Sequence, residues 1–218
     1  MKSKKFFGVL LMMVFLLLAL MCTAVIAAGL PEDIKDHWAE EEISSWVLNG
    51  LVKGYEDGSF KPNNAVTRAE YITLVNRAFG FNTKAQISFS DVPTDAWYYD
   101  EIAKAAAVGY IKGYEDSTMK PNNKISRQEA AVVLSRLLKL KDTGEGSKLS
   151  RFSDSASIPV WAKSEINVVV SDKYMGGYPD GAYRPANPIT RAETVKVLSR
   201  AVGKLYNTSG VYGTDKIK

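Results

Sequence analysis

Three short segments of the chain carry residue types that could do chemistry. Thr67-Arg68-Ala69-Glu70, Ser126-Arg127-Gln128-Glu129 and Thr190-Arg191-Ala192-Glu193 each set a hydroxyl, a cation and a carboxylate side by side. Carboxylates such as Glu70, Glu129 and Glu193 suit acid–base cleavage of a glycosidic bond, a reaction that needs two carboxyls at a defined separation flanking that bond. The same spacing is a capping box, in which Thr67, Ser126 or Thr190 accepts from the backbone N–H three residues on while the glutamate reaches back to the cap's own N–H. Capping accounts for the hydroxyls and carboxylates and leaves the arginines unexplained. Arg68, Arg127 and Arg191 fall at the first helical position, the positive end of the helix dipole, where a cation costs about 0.3–1 kcal/mol. An anion held jointly by the guanidinium and the free N–H groups of the helix start would offset that cost, because a carboxylate suits both. The alternative is a salt bridge to an acidic residue of a neighbouring copy, with Asp33, Asp91 and Asp154 available.

Aromatic residues stand at matching places. Tyr55, Tyr114 and Tyr178 each follow a glycine (Gly54, Gly113, Gly177) that would let a ligand approach the backbone, and they read as walls of a binding groove. Trp38, Trp97 and Trp161 sit at helix starts, where tryptophan is ordinarily a core anchor; they also join the tyrosines as candidate ligand-contacting residues. Trp46 has no counterpart elsewhere in the chain and reads as core.

Other chemistry is thinly supplied. The single cysteine, Cys22, lies in an apolar leader, so the exported part would hold neither a cysteine nucleophile nor a zinc–thiolate site. The neighbours of the single histidine, His37, indicate a helix start rather than a catalytic triad. Glu56, Asp57 and Asn63 lack the evenly spaced donors and closing glutamate of a calcium loop, so no metal and no cofactor is expected. The formal charge is +4 and falls to +1 without Lys2, Lys4 and Lys5, too small and too interspersed for a nucleic-acid surface.

The elements that must position these residues follow from comparing the chain with itself. Trp38, Trp97 and Trp161 are separated by 59 and 64 residues, and the Gly-Tyr pairs, Pro62, Pro121 and Pro185, the arginines and the glutamates keep the same offsets. Residues 31–80, 89–138 and 152–202 are therefore three repeats. Each opens with an acidic turn and continues as a helix, with Trp38, Ile43, Trp46 and Val47 on one face in the first copy and Trp97, Ile102 and Ala105 in the second. Gly50 and Gly109 supply left-handed caps, and a turn-rich loop leads to a second helix that starts at the capping box. That helix carries Ile72, Val75 and Phe79, then Val132, Leu134 and Leu138, then Val195, Leu198 and Val202. The β-branched run Val168-Val169-Val170 weakens the helix expectation in the third copy. The expected fold class is all-α: three tandem helix–loop–helix units, each too small to bury its apolar face alone.

The acidic opening, Trp-Ala at Trp38-Ala39 and Trp161-Ala162, the Gly-Tyr-x-Asp-Gly loop, the proline and the Thr-Arg-Ala-Glu box closely resemble the S-layer homology (SLH) repeat. The resemblance implies a pseudo-threefold, three-pronged arrangement with sugar-binding grooves between neighbouring repeats. It also implies binding to secondary cell-wall polysaccharide of bacteria with a Gram-positive type of wall, commonly through a pyruvylated amino sugar whose ketal carboxylate would suit the anion site inferred at Arg68, Arg127 and Arg191. Pro31 in place of the aromatic at Phe89 and Phe152, Ser117 in place of Gly58 and Gly181, Gln128 in place of alanine, and Met175-Gly176 depart from the pattern. The grooves need not be equivalent, and the third departs most.

Residues 1–27 read as a signal peptide, with an uncleaved anchor as the alternative; on the first reading the chain meets the membrane only in transit and is secreted to the cell wall or S-layer surface. Residues 139–151 read as a polar linker and 203–218 as a polar tail, with no room for a cargo domain. The leading expectation is a non-catalytic wall-binding protein; a wall-glycan hydrolase and a surface scaffold for another protein are the competing ones.

Overall fold

A computed structural model describes residues 29–142 and 146–209; the expected signal peptide and the end of the tail lie outside these residues. Among the described residues the regular elements are six α-helices and short 3-10 turns. Each repeat supplies a helix pair: α1 (Glu40–Leu48) and α2 (Arg68–Phe79), α3 (Tyr99–Val108) and α4 (Arg127–Leu137), α5 (Val160–Ser171) and α6 (Arg191–Ser209). The all-α, helix–loop–helix class is what the sequence periodicity predicts. No helix among the described residues is long and apolar enough to cross a membrane.

The helices pack between repeats. The second helix of one copy lies against the first helix of the next: α2 on α3, α4 on α5 and, closing the ring, α6 on α1. One continuous apolar cluster runs through all three copies, from Ile43 and Trp46 through Ile102 and Leu134 to Ile166 and Leu198. A lone helix pair has too little such surface, so packing across copies supplies the core.

At the centre the copies exchange backbone hydrogen bonds in a closed triangle. Val66 N donates to Ile189 O (3.1 Å), Ile189 N to Ile125 O (3.0 Å) and Ile125 N to Val66 O (3.1 Å). All three side chains are completely buried, so these amides have no access to water and each pairs with the neighbouring copy instead. Antiparallel bridges Ala65–Thr190, Thr67–Lys124 and Ser126–Pro188 flank the triangle.

Each acidic turn holds its own loop. Asp33 accepts from Phe60 N and Lys61 N at 2.8 and 2.7 Å, Asp91 from Met119 N and Lys120 N at 2.7 Å each, and Asp154 from Tyr183 N and Arg184 N at 2.8 and 2.7 Å. Lys61, Lys120 and Arg184 sit at φ of 56°, 50° and 57°, a left-handed conformation costly for a side-chain-bearing residue, and the carboxylate clip holds it. These aspartates are therefore not the partners of the helix-start arginines.

Three features refine the sequence expectation. The Val168–Val170 run is helical in α5, because all three valines are buried and packing outweighs their modest helix penalty. The tail begins as helix, since α6 continues to Ser209. The expected linker docks near its end, where Lys148 N donates to Asn167 Oδ1 at 2.8 Å and Leu149 is buried.

Ile125→Ala is expected to lower stability by about 2–5 kcal/mol through the cavity it leaves. Because the central exchange joins the copies, calorimetry should show one transition moved as a whole; separate melting of individual repeats would contradict the closed ring.

Candidate functional site

The helix starts that hold the candidate residues are built from both sides. Thr67, Ser126 and Thr190 accept from the N–H of Glu70, Glu129 and Glu193 at 3.2, 3.3 and 3.2 Å. The carboxylates return to the cap N–H groups at 2.6, 2.8 and 3.0 Å, so each capping box is formed. The N–H groups of the first two helical residues are taken by the next copy. Arg68 N and Ala69 N donate to Asn123 O and Pro121 O, Arg127 N and Gln128 N to Asn187 O and Pro185 O, and Arg191 N and Ala192 N to Asn64 O and Pro62 O, all at 2.9–3.0 Å. The free N–H groups required by the anion clamp are thus occupied by neighbouring carbonyls, and that part of the sequence reading is corrected.

The arginine side chains run the same way. Nε of Arg68, Arg127 and Arg191 donates to the carbonyls of Met119, Tyr183 and Phe60 in the next copy at 2.8, 2.9 and 2.8 Å. Arg68 also pairs with Glu129 at 3.1 Å and Arg127 with Glu193 at 3.3 Å. Arg127 Nη2 donates to Gly176 O, and Arg191 Nη2 to Lys53 O. With only 5%, 4% and 7% exposure, the three guanidiniums are buried ties between copies. The salt-bridge alternative holds for Arg68 and Arg127, with the next copy's capping glutamate rather than the acidic turns.

Each loop tyrosine lies between two cations. Arg68 and Lys120 flank Tyr114 at 4.7 and 4.1 Å, Arg127 and Arg184 flank Tyr178 at 4.7 and 4.1 Å, and Arg191 and Lys61 flank Tyr55 at 4.9 and 4.3 Å. Tyr114 OH donates to Glu129 and Tyr178 OH to Glu193, both at 2.5 Å. Partial burial, with the carboxylate partner adding to it, pushes both phenols up to about 12. Burial alone would raise the Glu129 carboxyl, but Ser126, the Tyr114 phenol and Arg68 favour its charged form and the net shift is downward.

Gly54, Gly113 and Gly177 serve the loop itself. A Cβ at Gly113 would stand 2.6 Å from the Phe89 ring and 2.9 Å from Thr118 O; at Gly177 it would meet Phe152 and Ala182 O, and at Gly54, Ser59 O. The glycines are required by this internal packing, and Gly113 also lines the groove described below. Ser117 accommodates its departure from glycine by adopting φ 60°. The core-anchor reading of the tryptophans is also corrected: Trp38, Trp97 and Trp161 are 58%, 61% and 55% exposed, whereas Trp46 is buried. The His37 ring accepts from Ala39 N and contacts Asn63, consistent with a helix start.

These elements enclose a groove of about 680 Å³ drawn from all three copies. Arg68 of the first repeat, Gly113, Tyr114 and Glu129 of the second, and Trp161 of the third line it together. Lys112 and Arg136 also line it and were not singled out from the sequence. Arg136 shares the repeat offsets of 59 and 64 residues with Arg77 and Arg200, a signal that the repeat comparison contains.

The S-layer homology domain family matches residues 32–72, 88–131 and 151–195, one match on each structural repeat. The chain belongs to the S-layer homology domain family. A surface-layer 125 kDa protein of Lysinibacillus sphaericus is 31% identical over 208 residues, covering 92% of this chain and 17% of that protein. The S-layer protein sap of Bacillus anthracis is 30% identical over 198 residues, covering 89% of this chain and 23% of its own length. A cellulosome-anchoring protein of Acetivibrio thermocellus is 32% identical over 159 residues, covering 70% and 35% respectively. The chain thus spans about a sixth to a third of the length of these relatives. In this SLH chain the Thr-Arg-Ala-Glu box is both helix cap and inter-repeat tie.

Arg68→Ala should cost about 3–5 kcal/mol, the consequence of stripping a buried pair of one partner, while Thr67→Ala should cost about 0.5–2 kcal/mol as a lost cap. Denaturant unfolding checks this order, and equal stability of Arg68→Ala and wild type would contradict the tie. In alkaline titration followed by tyrosinate absorbance, Tyr114 and Tyr178 should ionise near pH 12. Their raised values mean that the neutral phenols' contribution is complete below pH 10 and is lost as pH rises through 12. Phenylalanine at both positions should remove that late step.

Proposed function

We propose that the protein attaches non-covalently to the bacterial cell surface by binding secondary cell-wall polysaccharide bearing an acidic, pyruvyl-ketal sugar. The family is one of cell-surface proteins, and the feature that carries the reading is the groove in which three repeats bring Trp161, Tyr114 and cationic side chains together. An exposed indole offers a flat apolar face for a sugar ring while its N–H stays free for a hydroxyl. Trp161 forms the rim, Tyr114 the wall, and Arg68 with Gly113 the floor of this site. By the repeat offsets, the equivalent residues around the ring are Trp97 with Tyr55, Gly54 and Arg191, and Trp38 with Tyr178, Gly177 and Arg127.

The reading is non-catalytic. A glycosidase acid must be protonated near its working pH, which requires a raised carboxyl value. Glu129, one of the carboxylates lining the groove, is instead held charged by three partners and its value is lowered. Glu70, Glu129 and Glu193 are occupied with their caps.

Co-sedimentation with purified walls tests the proposal: the protein should pellet with intact walls and stay in solution once the secondary polysaccharide has been chemically removed. Trp161→Ala should weaken pelleting severalfold while changing stability by no more than about 0.5 kcal/mol, as expected for an exposed side chain. Undiminished binding to stripped walls would refute the polysaccharide as ligand.

A further inference from the structure

The charge of the helix-start arginines suits an acidic ligand, yet the structure commits all three to protein partners. Arg68, on the groove floor, gives Nε to Met119 O and Nη1 to Glu129. Lys120 faces Asp116 at 3.4 Å. These pairs neutralise two of the four cations lining the groove, leaving Lys112 and Arg136. Both are exposed, and neither side chain has a hydrogen-bonding or ionic partner among the described residues. Glu115 is the remaining carboxylate at the rim, so the two open cations leave the groove with an excess of positive charge.

We infer that the anionic group of the ligand in the Trp161–Tyr114 groove is held by Arg136 and Lys112, while Arg68 holds the floor in place. The inference rests on the polysaccharide reading above and names which side chains read its charge. Arg136 projects from α4, a rigid packed helix, and its guanidinium keeps free N–H donors for a two-pronged contact with a carboxylate. Lys112 immediately precedes Gly113 in the tyrosine loop and adds a point charge on the same groove.

The third copy lacks this pair. Gly176 stands where the repeat offset places Lys112 in the second copy, and Arg200, the counterpart of Arg136, donates to Tyr174 O at 3.3 Å. An ion pair between Lys196 and Glu42 also bridges α6 and α1, where the second copy has Val132 facing the groove. The first copy keeps both residues, as Lys53 and Arg77. Charge recognition is accordingly a property of the first two copies, and the groove beside Tyr114 is where it can be read directly.

The test uses two probes of one shape: a glycoside of an N-acetyl amino sugar carrying a cyclic pyruvyl ketal, and its neutral methyl ester. Each is titrated into ¹⁵N-labelled protein while the Trp161 indole resonance reports binding at this groove alone. Wild type should bind the acid about ten- to a hundredfold more tightly than the ester, the range expected for charge-assisted hydrogen bonds. Lys112→Ala/Arg136→Ala should reduce that preference to less than about twofold at Trp161, with unchanged affinity for the ester and an unchanged melting transition. An acid preference that persists in the double variant, or its absence in wild type that still pellets with walls, would overturn this inference alone. Failure of wild type to bind either sugar or walls would overturn the polysaccharide reading and this inference with it.

Discussion

Everything in the molecule depends on what happens at three helix starts. A helix N-terminus leaves backbone donors without partners, and burying them unpaired would cost heavily. Here α2, α4 and α6 each give the first two of those donors to carbonyls of the next copy and the third to their own cap. The side chain of the first residue, an arginine, follows the same route to the carbonyls of Met119, Tyr183 and Phe60. Each copy is completed by its neighbour, and after three copies the exchange closes. The partial positive charge of the helix start and the arginine are both answered by neighbouring carbonyls, so the dipole penalty is met within the protein.

The loops are held between two requirements. Phe60, Met119 and Tyr183 each give their N–H to the acidic turn of their own copy and their carbonyl to the arginine of the preceding one. One residue thereby links the internal clip to the inter-repeat tie. This places the tyrosine loop, with its two flanking cations, against the following helix pair. A groove of about 680 Å³ is left open beside it, bounded by all three copies, so no single repeat carries a complete site.

What was legible in the sequence was local or periodic. The capping boxes at Thr67, Ser126 and Thr190 need only four residues to be recognised, and the repeat boundaries followed from landmarks in fixed register. The destination of Arg68, Arg127 and Arg191 was not legible, because their acceptors lie 51, 56 and 131 residues away and are backbone carbonyls, which no side-chain pattern marks. The dipole argument correctly required a negative partner but could not say whether a ligand or a neighbouring copy supplied it. Asp33, Asp91 and Asp154 were noticed as acidic without their targets, since two N–H groups some thirty residues on leave no trace in composition. The valine run of α5 only weakened a helix expectation: local propensity disfavours a helix that burial stabilises. Trp38, Trp97 and Trp161 looked like core because tryptophan usually is, and their exposure at equivalent positions in all three copies became visible only with the fold.

Native-state hydrogen exchange of the amides of Val66, Ile125 and Ile189 tests the closed ring most directly, because these three N–H groups form the central triangle and each belongs to a different copy. If the copies complete one another, none can open alone, and all three amides should exchange only through global unfolding, with one common protection free energy that falls together in denaturant. Exchange of one amide at a distinctly lower free energy than the other two would show that its repeat opens independently, and the account of a ring closed by mutual completion would not stand.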